Sequence, residues 1–348
     1  MAAGIRGNER GAGWLFVAPA LIILGLFLAL PILMALWVSL TRWNGQGSPF
    51  TSGVPFAGLG NYTRLFASDG LTRQDFMTSV RNNGYFVLFV VPIQTALALG
   101  LALVVNRRRG FFRTAFYFPS VTSSVAISVV FLFMFANTGA VNDLLGFAGI
   151  DGPAWFSDPR GVFHLLLGDS APGFMTGHSL LGLTWWDWIS GPSVAMCAII
   201  ALVVWTTSGT FMLMFLAALQ GLPVQLDEAG LIDGANRWQR FRHVILPLLT
   251  PTIFFNLIIG IINSFQVFTI AFIATSSSGV AGSGTGGAGP LNSLLMYMVL
   301  LYRNAFRYFD MGYASAMAVV MFMVLVLLTL VVVRSSNYWV HYEGNLRR

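Results

Sequence analysis

The side chains best able to do chemistry in this 348-residue chain are sparse, and most gather in one polar stretch. Residues 225–251, QLDEAGLIDGANRWQRFRHVILPLLTP, carry the acids Asp227, Glu228 and Asp233 and the arginines Arg237, Arg240 and Arg242. Such groups form bidentate ion pairs with a partner or with one another, which is recognition chemistry and not bond-making chemistry. The four histidines, His164, His178, His243 and His341, are scattered at no metal-ligand spacing. The single cysteine, Cys197, lies in an apolar run and excludes an intramolecular disulfide. All 19 basic side chains are arginine. A P-loop needs a lysine on its phosphates, so the chain holds no ATP site of that kind. A second polar set is dispersed through apolar surroundings: Gln94, Asn137, Thr206, Thr207, Asn256, Asn263 and Gln266. In a membrane such groups either bond a neighbouring helix or face a pathway. The pathway candidates are Asn263, Gln266, Asn256 and Gln94, with Asn263-Ser264-Phe265-Gln266 grouping several polar atoms in one apolar run.

The elements that must position these residues are membrane spans. Hydrophobic residues make up 56% of the chain and charged residues 9%, with a mean hydropathy of +0.74. A soluble domain carries about 25% charged residues, so this is an integral membrane protein, all-α in class. Apolar runs predict six transmembrane helices: Trp14–Leu40, Tyr85–Val105, Phe116–Ala136, Ser193–Leu219, Thr252–Thr275 and Tyr313–Val333. The first is far longer than the 7–15 residues of a signal-peptide core, so it is read as an uncleaved anchor. Pro19 and Pro31 within it are tolerable where neighbouring helices satisfy the freed carbonyls. Short helices are expected at Tyr62–Phe66, Asp75–Val80 and Val162–Leu167. Leu294–Leu301 is too short to span and reads as interfacial or re-entrant. Trp185-Trp186-Asp187-Trp188 suits the membrane interface; aromatics of this kind also stack on sugar rings. The run 276–290, SSSGVAGSGTGGAGP, reads as a flexible crossing with no side chains to form a core.

Charge orients the spans. With both ends on one side, that side collects twelve arginines against five acids, and the other seven arginines against eight acids. The positive-inside rule then makes both termini and residues 225–251 cytoplasmic. Arg107-Arg108-Arg109 is a cytoplasmic stop between two spans and is too small a patch for nucleic acid. The period of the 225–251 stretch suits two short helices. Glu228, Ala229, Leu231 and Ile232 lie on the first, Asp233-Gly234 makes a turn, and Trp238, Phe241, Val244 and Ile245 lie on the second.

The pattern Glu228-Ala229-Gly230, then Asp233-Gly234-Ala235, then Phe241, Val244 and Leu246-Pro247 resembles the EAA loop of binding-protein-dependent ABC importer permeases. Gly230 departs from the second alanine of that motif, which loosens the first helix by about 1 kcal/mol. The sugar-importer branch is also resembled at Trp14-Leu15-Phe16 through Pro31, Gly58-Leu59-Gly60-Asn61-Tyr62, NRRRGFFRTAFYFP from Asn106 to Pro119, and FRYFDMGYASA from Phe306 to Ala316. Residues 160–183 are the main departure.

The resemblance implies a type I ABC importer permease fold in a bacterial cell membrane. It divides the chain into a tail, first helix and external loop (1–77), a permease core (78–333) and a cytoplasmic tail (334–348). It implies a second homologous permease, two cytoplasmic ABC ATPases that bind Mg-ATP, an external solute-binding protein, and surrounding lipid. The chain itself takes no cofactor or metal and is not an enzyme. ATPase coupling falls to Glu228, Ala229, Asp233, Gly234, Arg237, Trp238, Arg240, Phe241 and Pro247. Trp238 and Phe241 either contact the ATPase or pack the loop on its own spans. The expected cargo is a sugar or oligosaccharide; glycerol phosphate or another polar solute is the alternative. A secondary transporter working without an ATPase would leave the loop unexplained.

Overall fold

The computed structural model describes residues 9–51, 53–68, 70–106, 110–156, 158, 160–163, 175, 177–277 and 292–340. The chain divides into two compact units, Met1–Ser68 with Leu301–Val324, and Asp69–Leu300 with Leu325–Arg348. Helices dominate both, as the apolar runs require: a backbone in hydrocarbon must satisfy its own hydrogen bonds.

In the first unit, α1 (Glu9–Leu24) passes through a π turn at Gly25–Ala29 into α2 (Leu30–Ser39). The π turn ends two residues before Pro31, whose ring nitrogen has no hydrogen to continue the ladder. The Gly13–Ser39 span is almost wholly uncovered within the chain. The Asn61 side-chain amide on α3 (Gly60–Phe66) donates to the Ser39 and Thr41 carbonyls at 2.9 and 2.8 Å, closing the C-terminal end of α2. Arg64 pairs with Asp310 at 2.8 Å and sits 4.7 Å above the Tyr313 ring.

In the second unit, α4 (Leu71–Val105) and α9 (Val194–Gln220) form the central pair, joined by α5 (Gly110–Val121) and α13 (Thr250–Phe265). Helix α4 absorbs the separately expected Asp75–Val80 helix, because no proline stands between it and the span and Gly84 alone does not break a helix. One apolar cluster gathers Phe86, Val90, Ala195, Ile199 and Val203; a second gathers Ala98, Ala102, Phe211, Phe215 and Leu249.

One expected span is revised, a second holds with a local break, and one shorter segment packs differently from the expectation. The single helix predicted at Phe116–Ala136 is two helices, α5 and α6 (Ser124–Met134), bent by 93° across Thr122-Ser123. Ser123 is extended there (φ −53°, ψ 125°). Hydroxyl side chains on Ser120, Thr122, Ser123 and Ser124 compete with the helical ladder, and Ser120 Oγ donates to the Thr206 carbonyl of α9 at 2.6 Å. The fifth span is interrupted at Gln266 and resumes as α14 (Thr269–Ser277). Leu294–Leu301, expected as interfacial or re-entrant, packs into the chain: Leu294, Leu295 and Met296 are fully buried before α15 (Tyr297–Tyr302). The Asn82 amide holds that approach by donating to the carbonyls of Asn292, Ser293 and Leu295 at 3.1, 3.4 and 3.2 Å.

Among the described residues, five helices are long and apolar enough to cross a bilayer alone, the last being α16 (Met311–Trp339). The bent α5–α6 pair counts as the sixth crossing when taken as one broken span. Helix α7 (Ala140–Phe147) follows the broken span. A short hairpin, β1 (Ser179–Leu180) with β2 (Leu183–Thr184), leads into α8 (Trp185–Ile189). The tryptophan cluster is thus a short capped helix: Thr184 and Asp187 form a reciprocal capping box, and Tyr85 Oη donates to the Trp188 carbonyl. Of the expected helix at Val162–Leu167, Val162 and Phe163 are helical; the rest, and residues 278–290, lie outside the described residues.

Candidate functional site: the polar loop and a broken-span cavity

The polar stretch folds as two arms. The first is α10 (Val224–Ile232), which follows Pro223 and includes Glu228, Ala229, Leu231 and Ile232 as expected. Gly234 reverses the chain at φ +76°, a left-handed conformation that costs other residues about 1–2 kcal/mol. The Ala235 amide then donates back to the Gly230 carbonyl at 2.9 Å. The second arm opens with a capping box that sequence reasoning had not found. Asn236 Oδ1 accepts from the Gln239 amide at 2.9 Å, and Gln239 Oε1 accepts from the Asn236 amide at 2.8 Å. Helix α11 (Arg237–Arg240) runs through a π turn at Phe241–Ile245 into α12 (Leu246–Leu248), where Pro247 cannot supply a ladder amide.

The assigned coupling residues divide by exposure. Glu228, Ala229, Asp233, Gly234 and Arg237 are exposed, Phe241 and Pro247 are half-buried, and Arg240 is buried at 9%. Trp238 is 65% exposed with its ring 5.6 Å from that of Phe241, so it does not pack the loop onto the spans. Leu231 at 56% and Ile232 at 86% complete an uncovered apolar face. Large apolar side chains left in the open beside charged ones mark a surface for a partner.

The second feature is a cavity of about 290 Å³ where α4, α5, α6, α9 and α13 converge at the broken span. Its polar walls are hydroxyls and amides: Gln94, Ser120, Thr122, Ser124, Thr206, Thr207, Thr210, Asn263 and Ser264. Among the described residues, no ionisable side chain lines it. Thr207 Oγ1 donates to Gln94 Oε1 at 2.8 Å, orienting that buried amide. Two glycines allow the approach. A Cβ on Gly209 would stand 2.5 Å from the Phe116 carbonyl oxygen and 2.6 Å from Ser120 Oγ; one on Gly260 would stand 2.6 Å from Gln94 Nε2.

Of the four pathway candidates, Gln94 and Asn263 line this cavity. Asn256 and Gln266 do not. Asn256 is fully buried on the face of α13 that carries Gly260 and Ser264, and neither of its side-chain polar atoms has a hydrogen-bond partner among the described residues. Gln266 is exposed at the interruption between α13 and α14. Sequence reasoning missed Ser120, Thr122, Ser124 and Thr210. The run Pro119-Ser120-Val121-Thr122-Ser123-Ser124, inside a stretch taken as one apolar span, was the signal that could have found the first three.

Residues 94–340 match the family described as binding-protein-dependent transport system inner membrane component. The chain belongs to that family. It is therefore a multi-pass membrane component of such a transport system, and its fold is the type I importer permease fold. This permease is 35% identical to the probable ABC transporter permease protein YesP of Bacillus subtilis, over 97% of this chain and 94% of that one. It is 33% identical to the lactose transport system permease protein LacF of Rhizobium radiobacter, over 90% and 91%. Among solved structures it superposes on a chain of a bacterial alginate ABC transporter in complex with an alginate pentasaccharide-bound periplasmic protein. The TM-score is 0.67 at 18% identity, covering 94% of this chain and 95% of that chain.

Proposed function

We propose that this permease forms half of the pathway of an ATP-driven importer for a neutral sugar or oligosaccharide. The cavity carries this reading: seven hydroxyls and two amides meet at the broken span, with no charged side chain among them. Such walls exchange hydrogen bonds with a polyhydroxylated solute and offer nothing to neutralise a phosphate or a proton relay. Several relatives in the family are named for sugar transport, the lactose permease among them, which supports the same class. Glycerol phosphate has no cationic wall to favour it.

The reading pairs the chain with a second homologous permease, two cytoplasmic ABC ATPases that bind Mg-ATP, and an external solute-binding protein. The permease core runs over 78–333, and both termini lie with the loop in the cytoplasm. Closure of the ATPases would move the two-armed loop as a rigid body and carry that movement to α9 and α13, which flank it. The exposed set Glu228, Ala229, Asp233, Gly234, Arg237 and Trp238 would meet the ATPase, with Phe241 and Pro247 supporting it from behind.

The test is to purify the chain with its sister permease and ATPase and read ATP hydrolysis with and without binding proteins loaded with a panel of sugars. Stimulation by one loaded receptor is expected. Solute movement by the chain alone in ATP-free liposomes would overturn the reading.

A further inference from the structure

Gly230 is the one position where the loop departs from the motif it resembles, and it lies inside a helix without needing a left-handed backbone. Glycine weakens a helix interior, so its presence calls for a packing reason. The structure supplies one. A Cβ on Gly230 would stand 3.2 Å from Arg240 Cγ and 3.3 Å from Arg240 Cδ, closer than ordinary van der Waals contact. These are atoms of the arginine stem, not of its guanidinium.

Among the loop's arginines only this one is enclosed: Arg240 is 9% exposed, whereas Arg237 and Arg242 are exposed. Gly230 is therefore gripped twice, since its carbonyl also accepts the Ala235 amide of the returning chain at 2.9 Å. Among the described side chains of α10 none is buried, so little else on that arm is available to fix it against the second. Long basic side chains often serve by their stems, covering apolar surface while the charged head bonds elsewhere.

We propose that Arg240 is an internal strut of the loop: its stem crosses the bare face of Gly230 and sets the angle between α10 and α11. The pair makes the two arms one rigid piece. Glycine at 230 and arginine at 240 are matched residues, and Arg240 positions the exposed coupling residues from within the loop. The consequence for transport rests on the coupling function proposed above, because only a loop that transmits movement loses by becoming loose.

The experiment uses the complete assembly, with Cys197→Ala as background and spin labels at exposed Gln225 and His243, one on each arm. The distance distribution between labels is read beside sugar uptake per ATP hydrolysed. Gly230→Ala and Arg240→Ala are each expected to broaden the distribution, and each to lose roughly fivefold in uptake per ATP. Arg240→Lys keeps the stem and is expected to match the unsubstituted protein. Gly230→Ala added to Arg240→Ala should do no further harm, because the clash partner is already gone.

An unchanged distribution in Gly230→Ala overturns the strut. So does an Arg240→Lys variant as loose as Arg240→Ala, which would assign the effect to the guanidinium fork. Arg240→Lys adds no atom at Gly230, so it keeps the test decisive if Gly230→Ala assembles poorly. A broadened distribution with uptake per ATP unaltered would uphold the strut and remove the coupling function.

Discussion

The polar loop and the broken-span cavity do opposite things with similar materials. The loop leaves charged and large apolar side chains uncovered together, with Ile232 at 86% and Trp238 at 65% exposure. The cavity is lined by small hydroxyls and, among the described residues, by no charged side chain. The loop's shape comes from its own backbone: a left-handed glycine, a capping box and a π turn before a proline, all within one continuous stretch. The cavity has no shape of its own and exists only where helices from separate parts of the sequence approach. In the function proposed here, the local region meets a partner protein and the non-local one surrounds a small solute.

The contrast breaks most readily at the loop's turn. Gly234→Val should reduce uptake by more than about tenfold, because a β-branched residue at φ +76° forces the reversal to reorganise. Gly234→Asn should fall between, since asparagine tolerates that conformation better. Membrane insertion, followed by protease accessibility of the external loops, should be unchanged in both. Glu228→Ala should lower solute-stimulated ATP hydrolysis and uptake together; equal rates with and without this carboxylate would remove it from the coupling set.

At the cavity the next largest effect belongs to Gly209→Ala. The added methyl meets the Phe116 carbonyl, a backbone atom that cannot swing aside, so α5 and α9 must separate at a cost of about 1–3 kcal/mol. Uptake should fall while ATPase binding to the membrane subunits persists. Removing polar walls without moving helices should be milder. Gln94→Ala or Asn263→Ala should raise the half-saturating concentration for transport a few-fold, roughly one hydrogen bond's worth, and leave basal ATP hydrolysis alone. A fall in ATPase docking instead would erase the division of labour between the two regions.

The smallest change is expected at Asn256. Its buried amide has no partner among the described residues, so Asn256→Leu should leave uptake intact and hold or slightly raise the detergent unfolding temperature. Lost uptake would place Asn256 back on the solute path, where sequence reasoning had first put it beside Gln94, Asn263 and Gln266.

The loop's turn and its two arms were legible in the sequence, because Gly234 and the helical periods beside it are written in adjacent letters. The Asn236–Gln239 capping box is just as local and was missed. The spans were legible for the same reason, as long apolar runs between arginine clusters. Among the spans, the bend needed more than its own stretch. The hydroxyl run from Ser120 to Ser124 marks a weak point between Phe116 and Ala136 but does not state a turn of 93°; Pro119 alone is tolerable in a span. The bend goes with a hydrogen bond from Ser120 to a carbonyl of α9 and with a close crossing that only Gly209 permits.

By itself, then, the sequence determined an all-α membrane protein, its apolar spans, the two-armed polar loop and its turn, since hydropathy and turn chemistry act over a few neighbouring residues. Only the tertiary structure decided which polar side chains meet. Gln94, Thr207 and Asn263 converge while Asn256 and Gln266 stay apart, because helix rotation and crossing are set by contacts between residues far apart along the chain. The same holds in miniature at Gly230. Its missing methyl looked like a weakness of one helix until the stem of Arg240 was seen to lie against it.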